Sequence, residues 1–219
     1  MSLSSTEENY IKAIYKLSGK EKKAISTNSI ALAMNTAAAS VTDMLKRLKE
    51  KGYIHHEKYK GTKMLSKGMR CALVLLRKHR LWETFMVEKL NFNWDEVHIV
   101  AEQLEHIQSE KLTNELDKFL NFPTKDPHGD PIPNPAGFIK LTPKLKLSDL
   151  NIGETGKFIG VKDSSSTFLK HLDKIQISLG SNIKVLHQEE FDQSLHIGLD
   201  ETNLTISIQT ASNLYITKI

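Results

Sequence analysis

The sequence predicts a mainly helical chain whose last third turns to β-structure. Three observations predict this. Apolar residues recur at three- and four-residue spacing through the first 120 positions. All six prolines then fall between Pro123 and Pro143, where neither a helix nor a central strand can run through. Beyond them, short segments alternate with a period of two.

The chain has 219 residues, 39% hydrophobic and 26% charged, so it has the apolar residues a core needs and is not a disordered polymer. Its length allows two domains or three small ones. No apolar run approaches the roughly 18 residues of a membrane span. Its first residues lack the charged start and apolar centre of a secretory signal. The lone Cys71 cannot build an internal disulfide or a cysteine zinc site. A cytoplasmic protein is expected.

Ser5 and Glu8 stand at capping-box spacing, so a helix follows with Ile11, Ile14 and Tyr15 on one face and an end near Ser18-Gly19. A short helix is expected over 29–34. A third, over 37–50, carries Val41, Met44, Leu45 and Leu48 and stops at Gly52. Residues 53–57 and 62–66 read as two strands around a Lys60-Gly61 turn. Ser66 then caps a long helix reaching about Leu90, followed by helices from Trp94 to Ser109 and from Glu110 to Leu120. After the prolines, strands are expected at 157–161, 174–178, 183–186, 194–198, 204–208 and 214–217, with one helical turn over 167–172, together a small β-barrel. The domain division is 1–70, 71–122, a Pro-rich linker 123–145, and 146–219.

The net charge of +4 is unevenly placed: +8 over residues 1–70, −3 over 71–140 and −1 over 141–219. A basic first third is the electrostatic footprint of a nucleic-acid module, although a solvated lysine-rich face gives the same count. Three helices and a basic hairpin describe a winged helix-turn-helix. The helix over 37–50 is the recognition candidate. Thr36, Ala37, Ala38, Ala39, Ser40 and Thr42 at its start are small enough to settle into a major groove, and Lys46 lies one turn further on. Ser and Thr hydroxyls can bond phosphates, and Lys58, Lys60 and Lys63 on the hairpin suit the phosphate backbone. The plain alternative is a three-helix cluster with an ordinary surface hairpin.

A second pattern suits a cation. On a continuous helix His98, Glu102, Glu105 and His106 share an arc of about 100°, with Val100, Leu104 and Ile107 on the opposite side. The preceding helix adds His79 and Glu83 at i,i+4. Such stripes are also common on solvated helix faces. The segment lacks the His-Glu-x-x-His zinc motif, and Glu102-x-x-Glu105 followed by His106 is not the paired Glu-x-x-His set of a di-iron enzyme, so no catalytic site is expected. Nitrogen and oxygen donors without sulfur suit Mn²⁺ or Fe²⁺; Zn²⁺, Co²⁺ or Ni²⁺ can bind the same set in vitro.

Taken together, these residues resemble the metal-dependent transcriptional repressors of the diphtheria-toxin-repressor family, which includes the manganese transport regulators. The match is carried by 8–15, by 40–42 with 48–61, by Arg77-Lys-His-Arg-Leu-Trp-Glu83, by 97–106 (Val97-His98 through Glu105-His106), and by Gly129-Asp-Pro-Ile-Pro133. The resemblance covers the whole chain. It implies a winged helix-turn-helix, a helical dimerisation domain, an SH3-like β-barrel, and a homodimer on a palindromic double-stranded operator, with no membrane association. It also implies two metal sets: His79, Glu83 and His98 with third-domain ligands, and Asn9, Glu102, Glu105 and His106. The chain has Lys12 where manganese-type members have a further glutamate, and Asp163 is the one acid in the stretch aligned with the third-domain ligands. The reading is therefore a repressor of metal-homeostasis genes; the alternative is a winged-helix regulator with a vestigial metal site responding to another ligand.

Overall fold

The computed structural model describes residues 3–19, 23–57, 59–140, 143–199 and 202–219. The chain divides into two compact units: residues 1–79, 102–113 and 133–138 in the first; 80–101, 114–132 and 139–219 in the second.

In the first unit, helices α1 (Ser5–Ser18), α2 (Thr27–Ala33) and α3 (Ala38–Glu50) precede a hairpin of β1 (Ile54–Glu57) and β2 (Gly61–Met64). Ile11, Ile14, Ile30, Val41, Leu45, Leu48 and Ile54 close over one another, each at most 1% exposed. Burial of each such side chain stabilises the unit by roughly 1.5–3 kcal/mol. The hairpin is antiparallel, pairing Ile54 with Met64 and Glu57 with Gly61. Ile25 bridges to Thr62 beside it. Gly61 has φ +88°, and a β-carbon there would sit 2.9 Å from the Ile25 carbonyl oxygen. The capping box of α1 forms one residue earlier than expected. Ser4 Oγ accepts from the Glu7 amide and Glu7 Oε2 accepts from the Ser4 amide. Glu8 is unavailable because His106 and Gln108 hold its carboxylate.

The long helix α4 (Ser66–Leu90) contributes to both units. Helix α5 is shorter than expected, Val97–Leu104. The Lys78 ammonium donates to the Glu105 and Ile107 carbonyls, both at 3.0 Å, and satisfies oxygens that another helical turn would otherwise need. Glu105 and His106 therefore stand on the turn that leaves the helix. Helix α6 spans Glu110–Phe119.

The second unit holds a six-stranded antiparallel sheet. Its strands are β3 (Leu145–Lys146), β4 (Thr155–Val161), β5 (Asn182–Gln188), β6 (Leu195–Leu199), β7 (Thr202–Ile206) and β8 (Leu214–Lys218), in the order β3-β8-β4-β5-β6-β7. Phe158, Ile183, Val185, Ile197, Leu214 and Ile216 fill its core with Leu169 and Leu172 of α7 (Ser166–Lys174). The strand expected at 174–178 is instead the exit from α7. Ser165 caps that helix, Ile175 ends it, and Gln176 takes φ +58°. Ile177 looks strand-like because this exit is itself buried. Strand β7 ends at Ile206, where Ser207 caps the short helix α8 (Ile208–Ser212). No described helix is long and apolar enough to cross a membrane.

Candidate metal centre and nucleic-acid interface

The structure places the expected ligands in two clusters, one in each unit. In the first unit, Ile11 and Ile14 turn one face of α1 into the core and leave Glu8 and Lys12, one turn apart, buried beside it at 6% and 5% exposure. Lys12 Nζ donates to Glu102 Oε1 at 2.7 Å and also to Glu105 Oε1. The second oxygen of Glu105 meets His79 Nδ1 at 2.6 Å. His106 Nδ1 lies 2.6 Å from Glu8 Oε2, and the Gln108 amide donates to Glu8 Oε1 at 2.7 Å. Burial alone would raise the Glu102 carboxyl, but the Lys12 ammonium outweighs it and holds the group below the ordinary carboxylate range. Asn9 contributes no bond: its Oδ1 is buried and, among the described residues, has no partner. His79, Glu102 and Glu105 lie close enough to share an ion. Both Glu105 oxygens and one of Glu102 are nevertheless already bonded, two of them to a fixed positive charge. This donor set does not fit a divalent cation as it stands.

The second cluster comes closer to fitting one, with the Arg80 guanidinium 3.3 Å from Asp126 Oδ2 as its one fixed positive charge among the described residues. Glu83 on α4 and His98 on α5 meet at 3.2 Å between Oε1 and Nδ1. The other Glu83 oxygen lies 3.7 Å from His128 Nδ1. Asp126 completes a fully buried group with Glu83 and His128. Asp126 and His128 stand on a tight turn. Asp126 Oδ1 accepts from the amides of His128 and Asp130, both at 2.9 Å. Gly129 closes the turn at φ +81°; a β-carbon there would lie 2.0 Å from the Ile159 carbonyl oxygen. The His128 ring is aimed by Trp94, whose carbonyl bonds Nε2 at 2.7 Å and whose indole stacks on it. The ring's other nitrogen is left towards Glu83, the arrangement in which an outer partner fixes a ligating imidazole.

The charge balance there is unresolved. Burial, then the Glu83 and Asp130 carboxylates, push the Asp126 carboxyl up to about 6. Burial by itself would lower the His128 imidazole, but Glu83 and Asp126 override it and raise it to about 9. The Asp126 carboxyl stays raised even with the Arg80 guanidinium 3.3 Å from its Oδ2, so the buried negative charge there is only partly balanced, and a divalent ion would add to that balance. Glu83, Asp126 and His128 would hold it through oxygen and nitrogen alone, a set that suits Mn²⁺ or Fe²⁺, with His98 beside Glu83.

Of the seven expected ligands, Glu83 and His98 thus pair in the second unit, while His79, Glu102, Glu105 and His106 are bonded in the first. Asp126 and His128 were not among the ligands expected from the sequence. The signal was Asp-Pro-His-Gly itself, a turn closed by glycine that carries two ligand types two residues apart. Asp163 accepts from the Ser165 amide at 2.9 Å, an arrangement that starts α7.

The expected nucleic-acid face is open. Thr36, Ala37, Ala38, Ala39, Ser40, Thr42 and Lys46 are all exposed, as are Lys60 and Lys63 on the hairpin. Lys58 lies outside the described residues. Ala37 caps α3 without a side-chain bond, which leaves the first amides of that helix available to a phosphate. The Thr42 hydroxyl donates to the Ala38 carbonyl at 2.9 Å, so its proton is not offered to phosphate and its methyl is the group left for a base. Lys60 is paired with Glu57 at 2.7 Å.

Three family descriptions match in sequence. They are an iron dependent repressor N-terminal DNA binding domain over residues 2–62, an iron dependent repressor metal binding and dimerisation domain over 65–134, and an FeoA domain over 145–218. The iron-dependent repressor IdeR of Mycobacterium tuberculosis is 32% identical over 152 residues, 68% of this chain and 64% of that protein. The diphtheria toxin repressor of Corynebacterium efficiens is 28% identical over 61% of this chain and 58% of its own length. Among solved structures, a manganese-dependent transcriptional repressor in complex with manganese superposes with a TM-score of 0.84 at 31% identity, covering 97% of this chain and 100% of that one. ScaR with bound Cd²⁺ gives 0.76 at 28% identity, covering 97% and 99%.

Proposed function

The chain belongs to the iron-dependent repressor family, and from that premise we propose that it is a metal-responsive transcriptional repressor of metal-homeostasis genes, with Mn²⁺ or Fe²⁺ as co-repressor. The observation that carries this reading is the buried Glu83, Asp126 and His128 group with His98 beside it, in a chain that also carries an exposed winged-helix face. The protein works by binding rather than by catalysis, in the cytoplasm where operator DNA lies. It acts as a homodimer on a palindromic double-stranded operator, because a two-fold pair of recognition helices matches a two-fold site.

Glu83 from α4 and Asp126 and His128 from the 126–129 turn would hold the ion, with His98 of α5 beside Glu83. When bound, the ion adds positive charge to a cluster that Arg80 balances only in part. A bound ion would require His128, and at low pH Asp126, to release a proton to solvent. The His128 carbonyl accepts from the Val161 amide at 3.1 Å, so the turn is also fixed to β4. The ion thereby favours one arrangement of α4, α5 and the turn out of those available. By linkage, operator DNA must tighten ion binding by the same factor that the ion tightens operator binding, typically about 5–150-fold. On the DNA side, α3 enters the major groove through its alanines and the Thr42 methyl, while Lys46, Lys60 and Lys63 meet phosphates.

Operator binding by metal-free protein, compared with protein given Mn²⁺, Fe²⁺, Zn²⁺ or Co²⁺, tests the reading. A repressor of this kind gains affinity with Mn²⁺ or Fe²⁺. Equal affinity with and without every ion would reject it in favour of a regulator answering to another ligand.

A further inference from the structure

We propose that the Lys12 ammonium is the built-in cation of the first-unit cluster, which makes that cluster a metal-independent clasp between α1 and the 102–108 segment rather than a second ion site. The inference rests on the family reading for which residues were expected to ligate; the bonds themselves are independent of it.

Lys12 is 5% exposed and Glu105 is fully buried, so the charges are mutually satisfied out of water. Lys12 Nζ donates to one oxygen of each glutamate, as an ion bridging them would be coordinated. A divalent cation placed among these oxygens would meet the ammonium at coordination distance. Like charges repel strongly in a low-dielectric interior, and the Lys12 side chain is itself buried. His79 already holds the remaining Glu105 oxygen. The role an ion would play in joining α1 to the end of α5 is performed by the chain. Lys12 bonds Glu102 and Glu105, while Glu8 bonds His106 and Gln108. Lys78 fixes the backbone of the same turn. Asn9 Oδ1 stays without a partner and offers only a neutral oxygen, too little to draw an ion past Lys12. The ion response of the protein then runs through the second-unit cluster alone, with one ion per chain.

The full chain, stripped with a chelator and dialysed against Mn²⁺ without DNA, gives the ion count directly. Wild type is expected to hold one ion and Lys12→Glu two, because the substitution removes the resident charge and adds a carboxylate. One ion in wild type rising to two in Lys12→Glu supports the clasp; two ions in wild type, or no gain in a Lys12→Glu protein with a native circular dichroism spectrum, overturns it. Should that variant not fold, the double variant Glu83→Ala/His128→Ala decides the matter with Lys12 in place. Loss of all bound Mn²⁺ supports the clasp, and one retained ion that Glu105→Gln then removes overturns it. Failure of the repressor reading shows separately, as operator binding by wild type that Mn²⁺ leaves unchanged.

Discussion

Glu83→Gln removes one carboxylate from the second-unit cluster at nearly constant volume, and its consequence for His128 can be worked out in the metal-free protein. The His128 imidazole is raised from 6.5 to about 9 against a burial effect that lowers it, and Glu83 leads the opposing causes. Without that charge the imidazole falls back towards 6.5, a change of up to about 2.5 pH units. At about 1.4 kcal/mol per unit this is roughly 3 kcal/mol. The raised value means that His128⁺ stabilises the wild-type fold fully below pH 6.5 and that this contribution is lost as pH climbs through about 9. The wild type should therefore lose thermal stability between pH 6.5 and 9, on the order of 6 °C or more for a protein of this size. Glu83→Gln should be nearly flat over the same window. Ring-carbon NMR titration of His128 reads the change at its source. A His128 that still titrates near 9 in Glu83→Gln would refute the assignment of the shift to Glu83.

Three further outcomes are expected. Mn²⁺ must displace the proton His128 holds up to about 9, so apparent Mn²⁺ affinity in dialysis should fall about tenfold per pH unit below that value. The fall should steepen below about 6, where Asp126 also takes a proton; a flat profile between pH 6 and 9 would count against these ligands. Gly129→Ala forces a β-carbon to 2.0 Å from the Ile159 carbonyl at φ +81°. The backbone conformation alone costs about 1–2 kcal/mol, and melting temperature and Mn²⁺ affinity should fall together. Lys63→Ala removes an exposed hairpin charge and should weaken binding to all DNA sequences alike. The slope of log affinity against log salt should drop by about 0.9, and an unchanged slope would remove Lys63 from the interface.

The winged helix was legible because each of its devices is local. Val41, Leu45 and Leu48 at helical spacing are all fully buried, and the hairpin register follows from a turn at Gly61. The ligand clusters were harder to read because their partners are far apart in sequence. Glu8 and His106 are separated by 98 positions, and Lys12 and Glu105 by 93. Helical periodicity put Glu102, Glu105 and His106 on one face, which holds only while the helix continues. Lys78, a residue of another helix, supplies bonds that let the helix end at Leu104. Lys12 is visible in sequence as a departure from the glutamate of manganese-type members, but its place between two glutamates depends on tertiary packing. The Asp126–His128 turn was hidden for a related reason: proline and glycine mark a turn in sequence, whereas burial against Glu83 and Trp94 makes it a ligand carrier.

The account turns on the claim that an ion held by Glu83, Asp126 and His128 controls operator binding. Fluorescence anisotropy of a labelled operator, titrated with metal-free or Mn²⁺-saturated protein, tests that claim for wild type and for Glu83→Ala/His128→Ala. The account predicts a gain in affinity with Mn²⁺ of about 5–150-fold for wild type and none for the double variant, which keeps its winged helix and its Lys12 clasp. A double variant that responds to Mn²⁺ as strongly as wild type would contradict it.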